Sequence, residues 1–452
     1  MLKILIKLKQ TTDNVMKNFK VLIILNILFL LILGGCNSDN QNDDLAKVQV
    51  WKGNEYLIQS KDVLKKEIEE KIGRVKEFLN HYKLEGVLLT QVRNFYWITA
   101  GIANNQIVLN KDVGAASILI KKDGSRYLLC SGSEAGRLMD ETLGELGYEL
   151  KMFNWYETNP VKDVRAGIIH ELAGKGKIGS DTDYPGTINV SDAFKKLRYI
   201  LTDSEIERYR WLGKETTEAV ANVCRSIMPG MNEYELEART AAEIRSRGII
   251  PTVLLTAVDE RIYNYRHALP GGAELKKYAM INVVAEKWGM PIAVTRFVHF
   301  GELDKELKSK LEKVAVVNAH FQEATKPGVN AGTIFEKCKE WYASVGYEGE
   351  WMKHHQGGAI GYDDREWVIY PGINETVHEN QAFAWNPTIT GAKVEETIVT
   401  TADGFEVVTT SKDWPMINVE LNGKIYPQPA ILIRNEKTGE VIESEAISVK
   451  AN

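Results

Sequence analysis

Segments with a helical pattern alternate with strand-like segments along residues 56–198. Apolar residues recur with a helical period over Lys61–Tyr82. Four strand-like segments follow that helix: Gly86–Leu89, Tyr96–Thr99, Ala116–Ile120 and Tyr127–Cys130. Helices that alternate with strands usually cover the faces of a sheet, so this part of the chain predicts a three-layer α/β domain.

A second unit begins near residue 199 and is predicted to extend to residue 412. Thr202 or Ser204 can cap a helix, and acidic residues occupy its first turn. Further helical and strand-like segments follow: Asn232–Arg247, Met280–Val284, Ile292–Phe300, Leu303–Ala324, Ala382–Trp385, Lys393–Thr400, Gly404–Thr409 and Ala430–Ile433. Residues 413–452 form a C-terminal extension, in which three prolines predict strands and turns.

The N-terminal residues 1–35 read as an export signal. Val21–Leu33 is an apolar run interrupted only by Asn26, two lysines precede it, and Leu-Gly-Gly-Cys ends it. This ending resembles the lipobox of bacterial lipoproteins, which implies lipidation at Cys36, a polar tether over residues 36–55 and membrane anchoring in the bacterial cell envelope. A plain signal peptide followed by an incidental cysteine is the alternative.

Charge and cysteine usage exclude two other classes of protein. The whole chain carries 56 basic and 61 acidic residues, and without residues 1–35 the balance becomes 51 basic to 60 acidic. An acidic chain lacks the basic footprint of a nucleic-acid-binding protein.

Three cysteines remain beyond Cys36, and no Cys-x-x-Cys pair occurs, which indicates neither a disulfide framework nor a zinc site. Cys130 and Cys224 are predicted to be buried thiols.

Short motifs follow one another in a fixed order between residues 202 and 409. They are TDSEIERYR at 202–210, MPGMNEYE at 228–235, His267, Thr295-Arg296, HHQGGAIG at 354–361, Asn386-Pro387, VEET at 394–397 and Val399–Thr409. In this order they resemble the pita-bread family, which includes aminopeptidase P, prolidase, methionine aminopeptidase and creatinase. The resemblance implies an α/β (α+β) fold in which a creatinase-like N-terminal domain precedes a pita-bread domain.

The resemblance also shows what the chain lacks. The peptidases of the family hold two divalent metal ions with two Asp, one His and two Glu. The five corresponding positions are Asn282, Ala293, Gly358, Asn386 and Glu395. One carboxylate cannot hold two dications, since such ions need several anionic or imidazole ligands. We therefore expect no dinuclear metal centre and no other cofactor.

Several polar residues persist at positions that the family uses. His267 is a candidate general acid or base, since imidazole titrates near neutrality, and a loop histidine without a catalytic role is the alternative. His354 and Glu395 are candidates to orient a substrate. His354 and His355 could bind a metal together, but adjacent side chains on a strand point to opposite faces, so at most one of the two, His354, is expected to reach the site.

The candidate substrate-binding residues are Arg296, Arg365, Tyr265, Asn282 and Asn386. Arg365 offers a planar fork for a carboxylate, unless it pairs locally with an acidic neighbour. Glu395 either binds a cationic substrate group or pairs internally with Arg296.

Three functions stay open at this point. Creatinase, a metal-free member of the family, hydrolyses an amidino C–N bond with a histidine as acid and base. By that likeness, the first hypothesis is a metal-independent hydrolase or lyase acting on a C–N or similar bond in a small polar substrate. The second is a catalytically inactive pseudo-peptidase that binds a ligand as a lipoprotein. The third is a metallopeptidase with non-standard ligands. We expect a small-molecule or short-peptide substrate, and the resemblance implies a homodimer.

Overall fold

The computed structural model describes residues 59–159, 161–442 and 447–451. The predicted signal, Cys36 and the predicted tether lie outside the described residues. Within those described ranges, no helix combines the length and the apolar character that crossing a membrane requires. The ten α-helices of the described ranges are Lys61–Tyr82, Val92–Ile98, Gly132–Leu138, Val164–Ala173, Ser191–Phe194, Asp203–Ser226, Glu233–Ser246, Glu260–Asn264, Lys305–Ala324 and Ala331–Ser344.

The first sheet has six strands in the order β4-β3-β2-β1-β5-β6. These strands are β1 Gly86–Gln91, β2 Val113–Lys121, β3 Arg126–Ser131, β4 Glu149–Phe153, β5 Ile178–Ser180 and β6 Ile188–Asn189. Val87 and Leu89 belong to the same apolar core as Ile68 of the first helix, whereas Leu88 packs with Ile169 of the Val164–Ala173 helix. Since neighbouring residues of a strand face opposite sides, helices cover both faces of this sheet in three layers.

A four-stranded sheet, ordered β19-β9-β8-β7, forms one wall of the site described below. Its strands are β7 Ile250–Val258, β8 Tyr278–Lys287, β9 Met290–Phe300 and β19 Leu432–Arg434. β7, β8 and β9 form an antiparallel meander, and β19 lies parallel to β9. The Asp203–Ser226 helix packs beside them, and its N-terminus is capped by Thr202 and Glu205, as the sequence predicts.

The remaining strands form a five-stranded sheet ordered β11-β10-β12-β15-β16 and two smaller sheets. They are β10 Gly357–Ile360, β11 Trp367–Val368, β12 Ala382–Trp385, β13 Thr388–Ile389, β14 Ala392–Lys393, β15 Glu396–Thr401, β16 Gly404–Val407, β17 Met416–Leu421, β18 Lys424–Pro429 and β20 Ile447–Lys450. β17, β18 and β20 form one small sheet and β13 pairs with β14. The thiols of Cys130 and Cys224 are free and buried, which confirms that prediction.

Two details differ from the sequence-based predictions. Tyr96–Thr99, predicted as a strand, lies in the Val92–Ile98 helix and its C-cap. Nearly every residue of that helix is buried, so no amphipathic period marks it. The C-terminal extension is part of the second unit, because its strand β19 pairs with β9 as the fourth strand of the β7–β9 sheet. Leu432 of β19 belongs to the same hydrophobic core as residues of β8 and β9.

A buried network of charges joins the first helix to the Asp203–Ser226 helix. Lys71 Nζ lies 2.6 Å from Glu67 Oε1 and 2.6 Å from Glu205 Oε1. Arg208 Nη2 lies 2.5 Å from Glu67 Oε1, and the Tyr362 hydroxyl donates to Glu205 at 2.6 Å. Two cations thus balance two carboxylates inside the protein, which is the condition for burying charge.

We predict that Lys71→Met lowers the free energy of unfolding by about 3–5 kcal/mol, because it leaves one buried carboxylate without its cation. Lys65→Met is the matched control, since Lys65 lies on the same helix and is exposed. That control should stay within about 0.5 kcal/mol of the wild type. Urea unfolding measures both variants, and equal stabilities would show that the network contributes nothing.

Candidate active site

A cavity of about 430 Å³ opens against the β7–β8 wall. Its lining residues are Val253, Leu255, His267, Leu269, Asn282, Val284, His355, Asp364, Arg365, Asn386, Lys393 and Glu395. Asn282 and Val284 alternate along β8, so both face the cavity, as the two-residue period of a strand requires. The cavity therefore brings together His267, Glu395, Arg365, Asn282 and Asn386, which are five of the eight catalytic and substrate-binding candidates of the sequence.

Glu395 is the centre of the polar part of this cavity. Its carboxylate accepts hydrogen bonds from Asn282 Nδ2 and from the Thr295 hydroxyl, the latter at 2.6 Å. Lys393 Nζ lies 3.1 Å from Glu395 Oε2, and Arg365 Nη2 lies 3.9 Å from Oε1. Two cations therefore face one carboxylate.

The charge state of Glu395 follows from these partners. Burial on its own raises the pKa of this carboxyl, but Lys393, Thr295 and Arg365 outweigh burial and hold the pKa below its ordinary value. Burial lowers the pKa of Lys393, and Glu395 opposes that shift. The carboxylate is thus ionised and already neutralised by the protein, and Arg365 adds a second cation to the cavity.

Arg365 is held in place by the loop that carries it. Its neighbour Glu366 forms a bidentate ion pair with Arg198, at 3.0 and 2.6 Å, and Tyr362 of the same loop binds Glu205. Among the described residues Arg365 forms no ion pair with Glu366, and its Nη1 donates to the backbone carbonyl of Asp364 at 2.6 Å.

Three histidines meet at the edge of the cavity. His267 Nε2 lies 2.9 Å from His354 Nε2, and the rings of His354 and His355 stack with centroids 4.2 Å apart. Of His354 and His355, only His355 is among the residues that line the cavity, so the choice of His354 as the one that reaches it is wrong. These residues precede β10 and follow a 3₁₀ turn at Glu350–Lys353, so the alternation of a strand does not apply to them.

Arg296 and Tyr265 lie outside the residues that line the cavity. Arg296 is buried and pairs with Glu396 at 2.7 Å, which corrects the alternative of an internal Arg296–Glu395 pair. The ring of Tyr265 is half-exposed and stacks under the guanidinium of Arg261. The structure therefore gives neither residue a place among the lining side chains.

Sequence reasoning missed Lys393 and assigned no role to His355. Lys393 precedes Glu395 by two residues, and in an extended chain such neighbours share one side, so the spacing contained the signal. His355 lies outside any strand and stacks on His354, so strand alternation gives no signal for its position.

The two-metal centre of the family does not fit this cavity. A Cβ atom on Gly358 would lie 2.1 Å from the backbone oxygen of Trp367, so no histidine fits there without movement of the sheet. The backbone N–H of Ala293 donates to the Thr397 hydroxyl, and the backbone carbonyl of Ala293 accepts from that hydroxyl. The remaining carboxylate, Glu395, already accepts three donors on one oxygen.

Comparisons with known proteins agree with this architecture. Residues 207–402 match metallopeptidase family M24. An uncharacterized peptidase of Staphylococcus aureus strain MW2 is 24% identical over 357 residues, which cover 75% of this chain and 98% of that protein. The Xaa-Pro dipeptidase of Pyrococcus horikoshii is 23% identical over 371 residues, covering 76% of this chain and 97% of the relative.

Solved structures show the same fold. The crystal structure of the prolidase from Pyrococcus horikoshii superposes with a TM-score of 0.63 at 21% identity, covering 76% of this chain and 99% of the prolidase. This chain therefore has the pita-bread fold of that prolidase, and its residues 207–402 match metallopeptidase family M24. The matches support a peptidase-like protein.

We predict that Gly358→Ala lowers the free energy of unfolding by about 1–3 kcal/mol, because the added methyl group collides with a backbone carbonyl. Gly404→Ala is the matched control, since Gly404 also lies in a strand and its added methyl meets nothing within 4 Å. That control should change stability by less than about 1 kcal/mol. If Gly358→Ala unfolds at the same urea concentration as the wild type, position 358 has room for a side chain.

Proposed function

We propose that this protein is a hydrolase, or a lyase, that cleaves a C–N or similar bond in a small polar substrate without a dinuclear metal centre. The observation that carries the proposal is the filled carboxylate site, in which Lys393 and Arg365 supply the positive charge beside Glu395. In the metal-dependent relatives that charge belongs to the ions. Here two side chains of the protein, Lys393 and Arg365, carry that positive charge.

The substrate that this cavity favours carries an anionic group. Arg365 has a guanidinium that is only loosely engaged by Glu395, at 3.9 Å, and its planar fork suits a carboxylate. Asn386 Oδ1 is buried and has no hydrogen-bond partner among the described residues, so it can accept a donor from the substrate. A small amide, amidino or short-peptide compound with a carboxylate offers both groups.

His267 is the proposed proton carrier. It lines the cavity and contacts His354 through the two Nε2 atoms, so one imidazole can orient the other. Burial and the nearby Lys393 lower the pKa of His267, which keeps the ring neutral and able to accept a proton at neutral pH. Glu395 holds Lys393 in place through their ion pair and is proposed to orient the polar group of the substrate.

We predict that the chain, stripped of metal with EDTA, turns over at least one compound in a screen of amidino, N-acyl and Xaa-Pro substrates. His267→Ala should reduce that turnover by about 10²–10⁴-fold, the usual contribution of a general acid or base. His170→Ala is the control, because His170 is exposed on a helix of the first domain. The measurement is the initial rate at saturating substrate for the wild type, His267→Ala and His170→Ala.

Two results would contradict the proposal. If turnover requires added Mn²⁺, Co²⁺ or Zn²⁺, the protein is a metallopeptidase with non-standard ligands. If no compound is turned over but one raises the melting temperature, the protein is an inactive pseudo-peptidase that binds a ligand, since a ligand of the folded state stabilises it.

We further propose that the mature protein is a lipoprotein of the bacterial cell envelope, anchored through Cys36. The basis for the anchor is the apolar run before Leu-Gly-Gly-Cys. We also propose a homodimer, which rests on the resemblance to the pita-bread family. In a bacterial host, Cys36→Ser should abolish incorporation of labelled palmitate and release the protein from the membrane fraction, whereas Ser38→Ala should change neither. Retention of the label in Cys36→Ser would contradict the anchor.

A further inference from the structure

The histidine cluster has the geometry of a ligand set in its own right. One ring nitrogen from each of His267, His354 and His355 lies within 4.8 Å of the other two. The ring centroids are 4.9 Å apart for His267–His354 and 6.2 Å apart for His267–His355. Nitrogens that ligate one ion at about 2.0–2.1 Å lie roughly 3–4 Å apart, so the side chains must rotate to close the set, and the stacked rings of His354 and His355 must turn toward one point.

The surrounding structure holds the three rings in place. Arg266, next to His267, pairs with Glu350 at 2.5 Å, and Glu350 opens the 3₁₀ turn that leads to His354. Gln356, buried behind the pair, donates to the carbonyl of His354 at 2.6 Å and accepts from the Tyr342 hydroxyl at 2.8 Å. The two chain segments that carry the histidines are thus tied together before any ligand arrives.

The rings are also in the protonation state that ligation requires. Burial, with Lys393 as the next cause, lowers the pKa of His354 to about 2. Burial, with Arg365 and Lys393, lowers the pKa of His355 to about 4. The imidazoles are therefore neutral at physiological pH, and a neutral ring offers the lone pair that a metal binds.

We propose that His267, His354 and His355 bind one divalent transition-metal ion of the Zn²⁺, Ni²⁺ and Cu²⁺ class. Such a site uses none of the five positions that hold metals in the peptidases. Imidazole ligands suit these ions, whereas Mg²⁺ and Ca²⁺ need oxygen ligands. The charged groups that face the cluster are Lys393, Arg365 and Glu395, so the ion gains affinity from nitrogen donors and not from net negative charge.

The ion is an inhibitor of this protein, a consequence that rests on the proposed function. His267 is the proton carrier in that proposal, and a bound ion would take up its ring and replace the Nε2–Nε2 contact with His354, 2.9 Å long, that orients it. A nitrogen that ligates a metal has no lone pair left for a proton. Occupation of the cluster and turnover therefore exclude each other.

The test is calorimetric titration of the full chain, stripped of metal, with ZnCl₂. We expect saturation at one ion per chain and, with CoCl₂, the visible absorption of a Co²⁺ ion bound by nitrogen ligands. His355→Ala should weaken zinc binding at least about 100-fold, since loss of a ligand costs more than the 10–100-fold loss seen for outer-shell partners. His170→Ala is the matched control and should bind zinc like the wild type, and circular dichroism checks that each variant is folded.

Three results overturn the site: no saturable zinc binding, zinc binding that survives both His355→Ala and His267→Ala, or equal affinity for Mg²⁺. Zinc should also abolish the turnover of the wild type but not that of His355→Ala, measured as the ratio with and without zinc for each protein. Zinc binding at the cluster with unchanged turnover overturns the inhibitory role. Absence of all turnover overturns the proposed function alone, since the titration decides the metal site independently.

Discussion

Buried ion pairs between distant parts of the chain are the constraint on which the site depends. The loop between β10 and β11 carries Arg365 into the cavity. A buried ion pair between Glu366 and Arg198 and a buried hydrogen bond from Tyr362 to Glu205 hold that loop. Glu205 in turn belongs to the network of Lys71, whose helix covers the first sheet. A buried charge that loses its partner is costly, so these pairs fix the loop to one position. The helix at residues 61–82 therefore helps to fix the loop that places Arg365 in the cavity.

The same rule explains the centre of the cavity. Glu395 is a buried carboxylate, and the ammonium of Lys393 and the guanidinium of Arg365 face it. A buried carboxylate needs some positive partner, whether ion or side chain. Lys393 supplies that partner from the chain itself. Hydrogen bonds from Asn282 and Thr295 satisfy the carboxylate further.

Local sequence signals predicted the long elements well. The helices Lys61–Tyr82 and Asp203–Ser226 have clear amphipathic periods and capping residues, and the structure has them at those positions. The short Val92–Ile98 helix was predicted in part as a strand, because a helix buried on all sides shows no period and its aromatic residues favour strands. The pairing of β19 with β9 could not be read from the sequence, since it joins segments more than a hundred residues apart.

The sequence by itself determined the α/β class and the resemblance to the pita-bread family, because periodicity, motif order and residue type are local properties. It also named His267, Glu395 and Arg365. Only the tertiary structure decided that Lys393 neutralises Glu395, that Arg296 pairs with Glu396 instead, and that three histidines face one another. These facts depend on which side chains meet across sheets and loops, and such distances follow from packing and from the burial of charge, which no local pattern encodes.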